Sequence, residues 1–368
     1  MVRHLYVHIP FCHRICPYCS FFKHQPGGID MGKFVEAILA EWRMRQESMD
    51  VSCETIYLGG GTPSLFSTPI MGRLLDGLRE GTSLEKLEEW TMEANPATFS
   101  RKKMQMIREG GVTRISLGVQ SLDARILNLL GRDHNADSAR ESFELLRDLA
   151  FPVISADLMF SIPGQSADSW RKTLEGIIAW EPDHVSAYNL TYEEDTPFFE
   201  QMEEGVLLPD EERDAEMFGL AIDLLGAAGL HQYEISNYAQ PGKESVHNRA
   251  YWSGKDYLGL GPGAVSTMAG RRWTNVKDTA GYMDSMLSGR MQEVETEIEA
   301  IDSEAFRLER LGLDLRTRDG LEERYLISEN QRVIDELTRE KLGQLENGSL
   351  RLTREGLFHV DTIAARLA

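Results

Sequence analysis

Cysteine is scarce in this chain: four residues among 368. So few cannot form a disulfide framework across such a length. Long apolar runs are missing too. None approaches the roughly 20 residues needed to cross a bilayer, so an integral membrane protein is not expected. Basic charge is in deficit, with 39 Lys and Arg against 59 Asp and Glu and a net charge of −20. Phosphate backbones need the opposite sign, which argues against nucleic acid as a partner. There is no low-complexity segment, and the opening Met1–Tyr6 is too short and mixed for a secretory signal. The cytoplasm is therefore the expected location. What remains is an ordinary soluble composition, 42% hydrophobic and 27% charged, on a chain long enough for one large α/β domain and a smaller one.

Short apolar runs alternate with amphipathic stretches through the first two-thirds. Strands are expected at Leu5–His8, Thr55–Leu58, Glu89–Glu93, Arg114–Gln120, Val153–Met159 and His184–Asn189. Between them, sets such as Phe34, Val35, Ile38, Leu39 and Trp42, or Trp170, Leu174, Ile177 and Ile178, recur at helical spacing. Ser100 and Asp168 stand where helix N-caps belong. Strand–helix alternation repeated about six times predicts a parallel sheet of right-handed βαβ units, closed fully or partly as a (β/α) TIM-type barrel. From about Ala300 the pattern turns to Glu- and Arg-rich helices, with a short alternating piece at Ser349–Leu352 and a last helix capped by Thr353. That tail reads as a small, mainly α, winged-helix-like packing domain. The expected units are 1–235, a connecting segment 236–299 and a C-terminal domain 300–368.

In barrels of this kind chemistry gathers at the C-terminal strand ends. The features found there are polar or glycine-rich. Cys12, Cys16 and Cys19 follow the first strand and Gly59-Gly60-Gly61-Thr62-Pro63 the second; Glu93 ends the third, Gln120 the fourth, and Asp157 lies on the fifth. The CxxxCxxC spacing supplies three thiolates. A zinc site prefers four ligands, and neither His8 nor His13 has a common zinc spacing. A cubane iron–sulfur cluster takes one ligand per iron, so three thiolates leave one iron open. Glycines without Cβ let a backbone approach a ligand closely, and their amides and carbonyls can bind charged termini. Glu93, Gln120, Arg132 and Asp157 are candidate cofactor contacts, strand-end capping or an ion pair being the alternative for each. Cys53, the fourth cysteine, reads as a small core residue.

The thiolate triplet after a first strand, with GGGTP after the second, resembles the radical S-adenosylmethionine (SAM) superfamily. The resemblance implies a [4Fe-4S] cluster on Cys12, Cys16 and Cys19. SAM would then chelate the open iron and accept an electron that yields a deoxyadenosyl radical. On the same resemblance, Tyr6, Tyr18, Gly60, Gly61, Thr62, Glu93, Gln120, Arg132 and Asp157 are the SAM-site candidates, with Tyr18 over the adenine.

Tyr6-Val-His-Ile-Pro-Phe-Cys12, Ser116-Leu-Gly-Val-Gln-Ser121, Leu130-Gly-Arg-Asp-His134 and Asp157-Leu-Met159 are similar to the oxygen-independent coproporphyrinogen III oxidase family. Tyr233–Ala239 and the HNxxYW run His247–Trp252 resemble its HemW branch, the haem chaperones. That branch implies haem as a third cofactor, His247 as its iron ligand, and transfer to an acceptor protein, a respiratory haem enzyme being one candidate. Flavodoxin or ferredoxin would be the reductant if SAM is cleaved. The alternative is the oxidase itself, which decarboxylates coproporphyrinogen propionates to vinyl groups. Two features separate this chain from the oxidase pattern: Ser20 and Phe21 follow Cys19 where the oxidase has a further cysteine, and a first strand is expected almost at once where the oxidase has an N-terminal extension. Ser161 stands where glycine is usual in the chaperone branch.

Overall fold

In the computed structural model, which describes residues 1–82 and 85–368, the alternation read from the sequence becomes a run of parallel strands with helices between. In chain order these are β1 (Val2–Ile9), α1 (Met31–Ser48), β2 (Val51–Gly60), α2 (Thr68–Arg79), β3 (Glu89–Ala94), α3 (Arg101–Glu109), β4 (Arg114–Gln120), α4 (Ala124–Leu129), α5 (Ala136–Asp148), β5 (Val153–Phe160), α6 (Ala167–Ile178) and β6 (His184–Asn189). Each expected strand is present. Neighbours pair in sequence order from β1 to β6, all parallel.

The sheet continues past both ends. After α7 (Pro197–Glu203) and α8 (Glu211–Ala227), strands β7 (His231–Glu234) and β8 (Asn237–Ala239) add antiparallel beside β6. After α9 (Val246–Trp252), β9 (Leu258–Leu260) adds parallel to β1. The order β7-β8-β6-β5-β4-β3-β2-β1-β9 leaves β7 and β9 at the two edges, not paired with each other. The barrel is partial.

Both faces of these strands are covered, but with different chemistry. In β1, Val2, Leu5, Val7 and Ile9 join the main hydrophobic core, while His4, Tyr6 and His8 alternate with them on the inner face. The inner face of β2 carries Thr55, Tyr57 and Gly59, and that of β3 Glu89, Thr91 and Glu93. The barrel lumen is therefore polar and aromatic, and the apolar core lies outside it, under the helices.

Residues 236–299 have no separate core. Tyr238, Leu258, Leu260, Trp273, Tyr282, Met286 and Val294 enter the barrel's own cluster, and β10 (Val265–Met268), β11 (Arg271–Asn275) and β12 (Glu295–Ala300) form an antiparallel sheet, with α10 (Thr279–Leu287) packed on α1. A buried carboxylate fixes that layer. Glu41 accepts from Tyr282 Oη at 2.6 Å, Asn275 Nδ2 at 2.9 Å and Gly261 N at 3.0 Å. The C-terminal part has its own core of Leu311, Leu315, Leu321, Ile334, Leu337, Leu350, Val360, Ile363 and Leu367. It holds α11 (Ser303–Asp314), α12 (Gln331–Glu340) and a small sheet of β13 (Leu321–Glu322), β14 (Gly343–Glu346) and β15 (Ser349–Leu352), in keeping with a winged-helix-like arrangement.

Two cap expectations change. Ser100 caps α3 as expected, but α6 is capped by Ser166, whose hydroxyl accepts from Ser169 N, and Asp168 lies in its first turn. An acid there still favours the positive end of the helix dipole. Thr353 caps a short turn, α13 (Arg354–Leu357), and the last helix, α14 (Val360–Leu367), starts after it.

Candidate functional site

The thiol loop leaves the end of β1 and is tied shut at its base. His24 N donates to Pro10 O at 2.8 Å and Cys12 N to His24 O at 3.0 Å. Phe11 is buried against Phe34 and Phe66. His8 anchors the returning chain, with Nε2 2.7 Å from Phe22 O and Nδ1 2.9 Å from Tyr6 Oη. Burial holds that imidazole down near a pKa of about 4, so it is neutral, donating to the carbonyl and accepting from the phenol.

Each cysteine has a different neighbour. Thr62 Oγ1 donates to Cys12 Sγ at 3.7 Å, Arg132 Nη1 donates to Cys16 Sγ at 3.8 Å, and Lys23 Nζ donates to the Cys19 carbonyl. Arg132 also donates to Asn95 Oδ1 at 2.6 Å and Gly118 O at 2.8 Å, and Asn95 Nδ2 donates to Thr62 Oγ1 at 3.0 Å. A single network thus links the ends of β2, β3 and β4 to the thiols. The Leu130–His134 motif supplies it: Gly131, at φ +69°, lies 3.3 Å from Pro17 at the position its Cβ would take, Asp133 pairs with His13 and Arg14 at 3.2 Å each, and His134 Nε2 reaches Val119 O at 2.9 Å. Burial pushes the Cys12 thiol up to about 11 and raises Cys19. Left alone these are thiols; a bound metal would take them as thiolates.

The glycine triplet is explained mainly by crowding. A Cβ on Gly59 would sit 2.9 Å from the Glu93 carboxylate, one on Gly60 (φ +102°) 2.4 Å from the His8 ring, and one on Gly61 2.7 Å from two backbone carbonyls. Their amides are also engaged: Gly60 N donates to Glu93 Oε2 at 3.0 Å and Gly61 N to Ile9 O at 2.8 Å. The expected role of those N–H groups toward a ligand is therefore taken up inside the protein.

Two carboxylates line the lumen above this loop. Glu93 also accepts from Tyr57 Oη at 2.8 Å. Burial, reinforced by the nearby Asp157, raises its pKa to about 7 against the opposing pull of the Tyr57 and Gly60 hydrogen bonds. Asp157 accepts from Ser116 Oγ at 2.7 Å and Ser155 Oγ at 2.9 Å, and burial raises it as well. Gln120 ends β4 at φ +65°, and Ser161 follows β5 at φ +60°. Both are strained for residues with a Cβ, and such strain concentrates at functional positions. For Ser161 it also accounts for the glycine usual in the chaperone branch.

A cavity of about 510 Å³ gathers Cys12, Cys16, Cys19, Tyr18, Gly60, Gly61, Thr62, Glu93, Gln120, Arg132 and Asp157. Tyr6 is not among them. It faces a second cavity of about 830 Å³, walled by Phe22, Tyr251, Tyr257 and Phe306 and lined also by His247. The two cavities share Phe21, Tyr57, Gly60, Glu93 and Tyr188.

His247 is fully buried, near the N-terminus of α9. Its Nδ1 lies 2.7 Å from Thr55 Oγ1, which is 3.0 Å from His4 Nδ1, while Nε2 has no hydrogen-bond partner. The ring packs on Tyr57 and Tyr251 at 5.1 and 4.7 Å. Burial, with His4 adding to it, lowers its pKa to about 3. The helix start is held from inside the barrel, where Glu89 accepts from Ser245 Oγ, Val246 N and His247 N at 3.0–3.2 Å and lies 3.7 Å from Arg114.

Sequence reasoning passed over Tyr57, Thr55, Asn95, Ser116 and Tyr188. The polar alternation Thr55, Tyr57, Gly59 was a usable signal, since inward residues of a strand recur every second position.

The thiol loop fits the cluster its spacing calls for. Cys12, Cys16 and Cys19 all line one cavity, and a polynuclear cluster takes such thiolates one per iron.

Residues 6–177 match the Radical SAM superfamily. That defines the class: a radical SAM scaffold, a family that implies a [4Fe-4S] cluster and SAM. Its architecture is similar to that of coproporphyrinogen III oxidase (HemN) from Escherichia coli, a radical SAM enzyme, with a TM-score of 0.85 over 100% of this chain and 90% of that one at 20% identity. At that identity the likeness concerns the fold. Among curated proteins, the chain is 35% identical to the haem chaperone HemW of Lactococcus lactis over 86% of its own length and 82% of that protein's. It is 38% identical to the haem chaperone HemW of Escherichia coli, over 81% and 79%. The chain belongs to the HemW family.

Proposed function

We propose that this protein is a haem chaperone built on a radical SAM scaffold, binding haem and passing it to an acceptor protein. The observation that carries the reading is the large aromatic cavity beside the thiol cavity, lined by an imidazole with one nitrogen anchored and the other unpartnered. A ligating histidine has this form, with one ring nitrogen fixed by a hydrogen bond and the other left for iron. Tyr57, Tyr251 and Tyr257 offer flat surfaces suited to a porphyrin.

In this reading Cys12, Cys16 and Cys19 hold the cluster. Gly60, Gly61, Thr62, Glu93, Gln120, Arg132 and Asp157 surround SAM, and Tyr18 borders the adenine. Cluster and SAM, when bound, supply one-electron chemistry at a potential the protein sets. The chain's own part is electrostatic. Arg132 places positive charge beside the thiolates, and Glu93 and Asp157 accept the ammonium and hydroxyl groups a nucleoside–amino-acid ligand offers. Tyr6, facing the other cavity, belongs with haem in this scheme. A flavodoxin or ferredoxin would be the reductant if SAM is cleaved, a respiratory haem enzyme is a candidate acceptor, and the setting is the cytoplasm. No described helix is long and apolar enough to cross a membrane.

The test is anaerobic reconstitution followed by haem titration, read at the Soret band, beside incubation with coproporphyrinogen, SAM and a reductant. Saturable haem binding without vinyl product is expected. Decarboxylation to vinyl groups would overturn the reading in favour of an oxidase.

A further inference from the structure

The shared wall between the two cavities is thin, and one strand supplies much of it. On the inner face of β2, Thr55, Tyr57 and Gly59 follow one another at two-residue steps. Thr55 Oγ1 fixes His247 Nδ1 at 2.7 Å. Tyr57 lays its ring on the His247 ring, centroids 5.1 Å apart and planes at 32°. Its hydroxyl, at the far end of the same ring, donates to Glu93 Oε1 at 2.8 Å. Gly59 leaves the space that Glu93 and the Tyr57 ring occupy, because a Cβ there would come within 2.9 Å of the carboxylate and 2.7 Å of the ring.

We propose that Tyr57 is a positioning residue that couples loading of the thiol-side cavity to the seating of His247, and so links SAM binding to haem affinity. The proposal rests on the functional reading above and adds to it a specific coupling element. Tyr57 is suited to the task. It is the one side chain described here that hydrogen-bonds a carboxylate lining both cavities while its ring touches the imidazole. The other Glu93 oxygen is held by Gly60 N at 3.0 Å, so a cation brought to the carboxylate competes with the Tyr57 hydroxyl rather than simply swinging the group away. Loss or reorientation of that hydrogen bond shifts a ring packed directly on His247. Interiors are close-packed, so a small displacement at one end of a ring is felt at the other.

Coupling of this kind is measured as a ratio of affinities. Anaerobically reconstituted full-length protein, with its cluster verified by iron content, is titrated with haem in the presence and absence of saturating SAM. The native protein should show a haem dissociation constant that differs by about 5-fold or more between the two conditions, the lower end of ordinary coupling. In Tyr57→Phe, which keeps the ring and loses only the hydroxyl, the ratio should fall to within about 2-fold of unity. Thr55→Val is the counter-variant. It releases His247 Nδ1 without touching Glu93, so haem should bind more weakly under both conditions while the ratio persists. A Soret maximum that shifts with SAM in the native protein and not in Tyr57→Phe is the second expected signature.

The proposal is overturned if the native protein binds both ligands with no mutual effect, or if Tyr57→Phe keeps the native ratio. Failure of the native protein to bind haem at all would instead overturn the functional reading, so the two failures are distinguishable.

Discussion

The two cavities differ in how they are assembled. The smaller is built from the ends of consecutive parallel strands, so its residues lie in short motifs that the repeat of strand and helix brings together. The larger draws on β1 and β2 at one end of the chain and on α9, β10, β11 and α11 far along it. One is polar and bordered by strained backbone at Gln120; the other is aromatic and ends on a buried imidazole. The two cavities meet at side chains that line both, chiefly Tyr57, Glu93 and Tyr188; on the function proposed above, these stand between the reactive group and the cargo.

If the cavities are functionally separate, the largest effect comes from the thiols. Replacing Cys16 with Ala should abolish the cluster, taking bound iron from about four per chain to near zero, while haem titration still saturates. Loss of haem binding together with the cluster would break the comparison outright.

Next in size is His247→Ala. Removing an iron ligand should weaken haem at least as much as losing a supporting contact does, about 10- to 100-fold, with cluster absorption and iron content unchanged. Parallel Soret and iron measurements check both halves.

Arg132→Met should act on the thiol side alone. It strips hydrogen bonds from the half-buried Asn95 side chain and the buried Gly118 carbonyl, a loss of about 1–3 kcal/mol in chemical denaturation, and weakens SAM binding by calorimetry. Haem affinity without SAM should stay near native.

The smallest effect is a pH dependence. Glu93 has a folded pKa near 7, raised above the ordinary 4.5 by burial. A raised pKa means that the folded state favours the protonated acid. The stabilisation relative to the unfolded chain is complete below about 4.5 and is lost as pH rises through 7. Glu93→Gln, which is always neutral, should therefore gain thermal stability over the native protein between pH 5 and 8. A few degrees is the expected scale, since about 1 kcal/mol moves Tm by roughly 2–4 °C in a mid-sized domain. Equal melting curves across that range would show that the carboxylate is ionised without penalty.

The same contrast explains what the sequence could reveal. The six strands and the thiol-side residues were readable because apolar runs, glycines and thiols fall next to each other in the chain. Cys12, Thr62, Glu93 and Gln120 each sit at or just beyond a strand end and Asp157 in the second half of β5, and parallel topology does the rest. Tyr6 stands apart from the other SAM-site candidates: its neighbours in sequence lead to the thiols, but its register on β1 puts it opposite Tyr57 and it lines the other cavity. Thr55, Tyr57 and Glu89 were missed because their partners, His247 and the start of α9, lie more than 150 residues away. No local pattern encodes such a contact. Nor does composition announce that α9 would be anchored on a carboxylate inside the lumen. The cap of α6 was misread because Ser166 and Asp168 both favour a helix start, and only the hydroxyl–amide geometry distinguishes them.

The unjoined edges of the barrel carry a last implication. Strands β7 and β9 end the sheet on opposite sides and never pair. A fully closed cylinder enlarges only by rupturing main-chain ladders; between β7 and β9 this one has no such ladder to rupture.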